Sequence, residues 1–430
     1  MSPAVVESRP PRYLAAPWWA LLTVPFGLAT GYANITVPYV LRGRGVSMTL
    51  IATVTQIATL PHVIKLLWSP ALDSGPPRRS WFFAAIFLTA ACLAANGFIP
   101  PSAAERLGPV SLLWVYTAVL FAAQAAVATS STAVLALMAL TVPVDRRGAA
   151  SGWQTAGNLG GMAAGGALLV WMNGHVSATA TAVSIAALCA ASAAPALFIR
   201  EEPLARRPVL KLMVELLKDI GKALRAREGW TGLLICLSPV GAGALTNLFG
   251  ALARDYAPDD ASAERLVLVV TGLLGGLVNA GGAVLGGYVA DRMNRRVAYV
   301  VFGGVTALAA VAMVLAPVTP TAFTVGCLAY QLANGMSYAA FYAFVLDLLG
   351  KRQGVTTQLA LFAGASNLAA MYVTWFDGWA YDRARVLLPS NATAGARGML
   401  GMDALATFAG IAMLSLVFSR LRPRKASAAT

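Results

Sequence analysis

The residues best equipped for chemistry in this chain lie between Pro61 and Arg79, in the stretch PHVIKLLWSPALDSGPPRR. His62 and Lys65 stand three residues apart inside an apolar segment, which then ends on Asp73, a Pro-rich turn and the pair Arg78 and Arg79. A His titrates near neutrality and can carry a proton. A Lys in an apolar run either meets an anion or extends its charged head back to the surface. A related exit, GGYVADRMNRR from Gly286 to Arg296, ends another apolar run more than two hundred residues later. One short turn used twice points to two halves of one machine.

Composition sets the medium in which these groups work. Hydrophobic residues make up 58% of the 430 residues and charged residues 12%, against about 25% charged in soluble domains; mean hydropathy is +0.68. That excludes an ordinary soluble enzyme and makes the bilayer the expected solvent. Apolar runs of roughly 20 residues give twelve spans, at about 18 to 40, 49 to 71, 80 to 99, 110 to 139, 149 to 173, 177 to 199, 230 to 253, 265 to 290, 297 to 316, 320 to 349, 355 to 381 and 400 to 419. The apolar run that follows the first 17 residues is longer than a signal-peptide core and has no small-x-small cleavage site, so it reads as a retained helix.

The net charge of +14 is distributed in a way that argues against nucleic acid as a partner. Loops on the side of the N-terminus hold 23 Lys and Arg, and the opposite loops hold eight: Arg42, Arg44, Arg106, Arg254, Arg265, Arg383, Arg385 and Arg397. This bias places both termini in the cytoplasm. A basic surface facing anionic headgroups then accounts for the charge, with membrane lipid as the partner. Residues 200 to 229 break the apolar pattern. There PVLKLMVELLKDIGKALR interleaves Leu212, Leu216, Leu217, Ile220 and Leu224 with Lys211, Lys218, Lys222 and Arg225, the signature of an amphipathic helix on the inner leaflet. It separates an N-terminal bundle, 1–199, from a C-terminal bundle, 230–430. The four Cys lie in spans without CxxC spacing and read as small buried hydrophobes, not as metal ligands.

Polar side chains within spans need a partner or a function. In the first half these are Asn34, Gln56, His62, Lys65 and Gln124, then Trp153, Gln154 and Asn158 in the fifth span. Asn34 reads either as a packing hydrogen bond or as cavity lining, and Lys65 either as a snorkelling cation or as a substrate contact. Gly157, Gly161 and Gly165 repeat at four-residue spacing and call for close helix contact. In the second half Asn247 and Asn279 occupy spans seven and eight. Gln331, Asn334, Tyr338 and Tyr342 follow three- and four-residue steps and form one polar, aromatic face. Asp347 lies four residues before Lys351 and reads as a local pair or a proton site; Asp377 reads as a proton site or as lying just outside the lipid.

PFGLATGY, PHVIKLLWSPALD, PVDRRGAASG and GMSYAAFYAFVLDLLGKRQGVTTQLALFAGASNL resemble the AmpG-type permeases, a branch of the major facilitator superfamily that includes muropeptide permeases, siderophore permeases and acetyl-CoA transporters. The resemblance spans nearly the whole chain, and KLLWSPALD is its most specific element. It implies an all-α membrane protein of twelve helices in two pseudo-symmetric six-helix bundles, working by alternating access and as a monomer. The superfamily's loop motif G-x-x-x-D-R-x-x-R-R is complete at Gly287, Asp291, Arg292, Arg295 and Arg296, and partial at Ser69, Asp73, Arg78 and Arg79, which assigns these residues to gating. One departure stands out: where the branch carries acids in the fourth span, this chain has Ser131 and Leu135. The implied function is a secondary transporter of the inner membrane, importing a bulky polar solute of the anhydromuropeptide class, with protons as the driving ion. Siderophore import is the rival. There is no Walker loop, HExxH spacing or nucleophile–base–acid set, so a membrane enzyme or non-transporting receptor is the weaker alternative, and neither cofactor nor metal is expected.

Overall fold

In the computed structural model, residues 14–73, 76–99, 112–142, 147–201, 208–225, 227–349 and 355–421 are described. They fold almost entirely into helices, as hydrocarbon requires of a chain whose backbone polar groups must be satisfied within each segment. The first half contains α1 (Ala16–Gly43) and α2 (Met48–Leu67), α3 (Arg78–Gly97), α4 (Leu112–Thr141), α5 (Arg147–His175) and α6 (Ala178–Ala193). An amphipathic helix, α7 (Val209–Arg225), follows. The second half contains α8 (Arg227–Cys236) and α9 (Phe249–Tyr256), α10 (Asp260–Ala290) and α11 (Arg295–Leu315), α12 (Pro320–Leu349), α13 (Val355–Leu387) and α14 (Ala394–Leu421). Together α8 and α9 make one interrupted crossing, so the path crosses twelve times in two bundles of six. Among the described residues, 8 helices are long and apolar enough to cross a membrane by those criteria alone.

Each bundle is built on close helix pairs. In the first, α1 lies against α5 so tightly that a Cβ on Gly157 would sit 2.1 Å from the Ala20 carbonyl oxygen, and one on Gly161 2.9 Å from that of Val24. The four-residue glycine spacing therefore does what the sequence leads one to expect. Helices α3, α4 and α6 complete the packing around Phe82, Leu93, Val127 and Ile185. In the second bundle, α12 packs on α10 and α11, and α14 packs on α11 and α13.

Three local features depart from regular α-helix. Residues Tyr32–Thr36 of α1 and Leu266–Leu274 of α10 are wound as π-helix, a form that recurs at functional sites. The exit of α2 is not α-helical: Lys65–Leu67 and Ser69–Asp73 are 3-10 turns, the second containing Pro70. Finally, the seventh span is not the continuous helix expected from 230 to 253. Gly241 and Gly243 take φ of 62° and 64°, a left-handed conformation that glycine adopts without penalty. The chain unwinds there before the short 3-10 turn Ala244–Asn247.

The α1–α5 contact yields a paired test. A Cβ at Gly160, one turn from Gly157, would meet nothing within 4 Å. Gly157→Ala is expected to cost about 1–3 kcal/mol by overpacking and to lower the thermal unfolding temperature of the purified protein, whereas Gly160→Ala leaves it unchanged or raises it. Equal temperatures for the two variants would remove close packing as the role of Gly157.

Candidate functional site

The regular winding of α2 is interrupted at Leu60, before Pro61, and just beyond it His62 faces α4. Gln124 donates from Nε2 to the Ala29 carbonyl at 2.8 Å, and its Oε1 lies 2.9 Å from His62 Nε2. Because that amide oxygen is an acceptor, His62 donates from Nε2, and Nδ1 is the position that can gain or lose a proton. Phe26 meets the imidazole edge-on at 5.7 Å. Lys65 is half-buried and no acidic partner for it occurs among the described residues. The Trp68 indole donates to Thr129 Oγ1 at 3.1 Å, tying the 3-10 exit to α4. Ser131 is buried, whereas Leu135 is exposed.

The other first-half candidates are more dispersed. Asn34 lies in the π-segment of α1, and its Oδ1 is buried with no hydrogen-bond partner; the same holds for Gln56 Nε2 on α2. Trp153 is 48% exposed, and Gln154 and Asn158 are half-buried. In the second half, Asn279 donates from Nδ2 to Gln331 Oε1 at 3.1 Å, and Asn247 donates to Thr374 Oγ1 at 3.1 Å. The expected polar face of α12 divides. Asn334 and Ser337 press against the unwound glycines: a Cβ on Gly243 would lie 2.6 Å from Asn334 Oδ1, and one on Gly241 2.0 Å from Ser337 Oγ. Tyr338 is 48% exposed. The side chains of Tyr342 and Asp347 lie outside the described parts.

Asp377 is fully buried within the protein, next to Gly378, whose carbonyl accepts from the Thr49 hydroxyl at the start of α2, and neither of its carboxylate oxygens is hydrogen-bonded. Its charged neighbour is Asp403 of α14. Sequence reasoning passed over Asp403, although an acid inside an apolar run was the available signal. Asp403 is also buried and accepts from the Tyr330 hydroxyl at 3.2 Å.

Several described contacts of the loop-motif residues lie within their own halves. Glu201 accepts from the backbone N–H of Arg78 at 3.0 Å and of Arg79 at 3.2 Å, capping α3, and lies 3.6 Å from Arg78 Nη1. Arg79 donates to the Ile199 carbonyl at 3.1 Å. Asn294 caps the Arg296 N–H at 3.0 Å, and the Arg296 guanidinium lies 5.7 Å from the Phe344 ring. A Cβ at Gly287 would meet nothing within 4 Å. Arg292 is exposed and Arg295 half-buried; the side chains of Asp73 and Asp291 lie outside the described parts.

Among the described residues, the hydrogen bonds and ion pairs that cross between halves gather at the opposite, distal end, beside residues 43–47, 257–259 and 388–393, while van der Waals contact between the halves extends further, as where Gly364 meets the Val63 carbonyl. Arg42 of α1 donates to Asp255 Oδ1 of α9 at 2.9 Å and to the Tyr381 hydroxyl of α13, which itself donates to Asp255 Oδ2 at 2.6 Å. Asp382 accepts from the Met48 N–H at 3.1 Å, the Thr49 N–H at 2.7 Å and the Thr49 hydroxyl at 2.6 Å. A carboxylate of the second half thus caps the N-terminus of α2, where the helix dipole favours negative charge. His175 of α5 lies 3.6 Å from Glu264 of α10. None of Arg42, Asp255, Tyr381 or Asp382 was a sequence candidate.

The sequence profile identifies this pair of bundles. A profile described as Major Facilitator Superfamily matches residues 19–374. The chain belongs to that superfamily. Among solved structures, a D-xylose-proton symporter superimposes with a TM-score of 0.65 at 16% identity, over 91% of this chain and 95% of its own. A point mutant of the nucleoside transporter NupG gives 0.65 at 12% identity, over 94% and 99%. A bacterial homologue of the human lysosomal transporter Spinster, inward-facing and unoccupied, gives 0.62 at 13% identity, over 94% of each chain. No curated protein sequence matches the chain. As a superfamily member it is a multi-pass membrane transporter of small molecules and not an enzyme.

The distal latch can be tested directly. Removing the cap with Asp382→Ala is expected to cost about 1 kcal/mol or somewhat more and so to raise opening of the distal end about 5- to 30-fold. Maleimide labelling of a cysteine placed at Ala52, which is buried, should accelerate accordingly; an unchanged labelling rate would remove Asp382 from the latch.

Proposed function

We propose that this transporter is an AmpG-type permease of the inner membrane that imports a bulky polar solute of the anhydromuropeptide class, driven by protons. The observation that carries this reading is the set of hydrogen-bonding groups held in mid-bilayer without a protein partner: Asn34 Oδ1, Gln56 Nε2 and Asn334 Oδ1. With them stand the His62–Gln124 pair and Lys65 one turn on. Buried polar atoms left unpaired are costly, and a solute rich in amides and hydroxyls would satisfy them. No carboxylate stands among them, so Lys65 and His62 would meet an acidic group of the solute. Trp153 and Tyr338 offer stacking faces for sugar rings, beside Gln154, Asn158, Gln331, Asn247 and Gln124.

The closed distal latch supports an inward-facing state, with the distal end outside the cell and both termini in the cytoplasm, as the charge bias of the loops requires. The residues 200–229, including α7, then join the bundles along the inner leaflet. Gating falls to the loop-motif residues Asp73, Arg78, Arg79, Gly287, Asp291, Arg292, Arg295 and Arg296, which would engage across the halves when the distal latch opens. For coupling, the buried Asp377 with Asp403, and His62, are the proton carriers in reach of the interior; Asp347 remains a sequence candidate at the far end of α12.

Full-length protein reconstituted in liposomes under an imposed pH gradient tests this reading. Labelled anhydromuropeptide is expected to accumulate and a ferric siderophore is not; the reverse outcome replaces the assignment with siderophore import, the rival that the missing acids at Ser131 and Leu135 keep close. Asp377→Asn and His62→Ala are expected to lower accumulation toward the level without a gradient. Full accumulation in both variants would remove both residues as coupling sites.

A further inference from the structure

Gln124 stands near the middle of α4 and has no exposed surface. Both ends of its side-chain amide are engaged: one lies 2.8 Å from the Ala29 carbonyl of α1, the other 2.9 Å from His62 Nε2 of α2. These neighbours decide which end is which. A backbone carbonyl can only accept, so the end facing Ala29 is the NH2 group and the end facing His62 is the oxygen. His62 therefore donates from Nε2. Phe26 of α1 meets the same ring edge-on, at an interplanar angle of 88°. A residue this deeply buried, with its amide used at both ends, has no surface to offer a solute.

The imidazole depends on this support because its own backbone supplies little. The regular helix stops at Thr59, Pro61–Ile64 is a single turn, and Lys65–Leu67 is already a 3-10 turn. Pro61 has no N–H to add to the helical ladder. His62 thus stands on an irregular stretch, and a side chain of α4 that is itself tied to α1 fixes its ring to the first bundle.

That the clamp is a neutral amide has a second consequence. The neutral ring with its proton on Nε2 and the charged ring both donate from that atom, so the bond to Gln124 outlasts the arrival and departure of a proton at Nδ1. A carboxylate in the same place would favour the charged ring. Around the ring, Lys65 one turn on is the charged group that faces it. Phe26 and Gln124 face it from α1 and α4, and α13, which packs on Pro61–Ile64, has no titratable residue from 355 to 371.

We propose that Gln124 is a positioning residue: it holds His62 by Nε2, leaves Nδ1 as the atom that takes up and gives back a proton, and does not itself touch the solute. The consequence for transport rests on the coupling role proposed above for His62; the clamp does not.

NMR of the purified full chain labelled with nitrogen-15 histidine reads the clamp directly, since the protein has only two His and His175→Gln assigns the signals. A one-bond Nε2–H cross-peak of His62 is expected on both sides of its titration, with the large nitrogen shift confined to Nδ1. Gln124→Met, which keeps the side-chain length without the amide, should speed exchange of that proton with water about ten-fold or more. Gln124→Glu keeps an oxygen toward His62 and should retain the cross-peak; it serves if Gln124→Met does not fold. In liposomes, Gln124→Met should lower the maximal rate of labelled anhydromuropeptide uptake about ten-fold and leave KM within about two-fold, the pattern of a residue that acts through another. The proposal is overturned if neutral His62 carries its proton on Nδ1, if exchange is as slow in Gln124→Met as in the wild type, or if that variant raises KM and keeps the maximal rate. If the wild type does not transport anhydromuropeptide, the transport reading fails, and the NMR outcomes still decide the clamp.

Discussion

A polar group in hydrocarbon must find its partner within the protein, and where this chain makes or withholds those partners organises the structure. Backbone groups are paired inside the helices, so the side chains carry the differences. At the distal end the partners are drawn across the two halves: Arg42 with Asp255 and Tyr381, Asp382 with the start of α2. At the other end the described partners stay within a half, as with Glu201 on the N-terminus of α3. Between the two ends, Asn34, Gln56, Asn334 and Asp377 keep buried polar atoms unpaired. Polar pairing across the halves at one end, together with unmet polar groups along the spans, fits a carrier on one side of its cycle.

Close packing makes that arrangement possible. Glycines on α1 and α5 bring the two backbones into contact, giving the first half a rigid spine. Glycine also permits approach between halves: a Cβ on Gly250 would lie 2.7 Å from the Ile35 carbonyl, and one on Gly378 2.7 Å from that of Met48. The unwound turn at Gly241 and Gly243 has the opposite role. It interrupts the seventh crossing where Asn334 and Ser337 press against it, so that crossing is two helices joined by a packed turn in place of a continuous helix.

The sequence made the twelve crossings legible because a span is a local property, a run of apolar residues of the right length. The loop motifs and the α1–α5 glycine contacts were legible for the same reason. The distal latch was not. Its partners are separated by 213 residues for Arg42 and Asp255 and by 333 for Thr49 and Asp382, and each stands at a helix end, where charged residues are ordinary. The break in the seventh crossing was hidden because glycine and alanine keep a segment apolar while they unwind it. Asp403 was overlooked beside Asp377 because their proximity arises from the packing of α13 on α14.

The latch is also of the right strength for its task. Arg42 and Asp255 have side chains only 15% and 18% accessible, so the desolvation of the pair offsets much of its Coulombic gain. The Asp382 cap adds about 1 kcal/mol. Moving a two-state equilibrium from 1:99 to 99:1 takes about 5.5 kcal/mol, so a latch of a few such contacts biases the carrier without fixing it. Pairing the unmet polar groups of the interior, at about 1–3 kcal/mol each, is comparable to the whole latch. Binding in the middle can therefore decide which end opens, provided the solute pairs those groups better in one state than in the other.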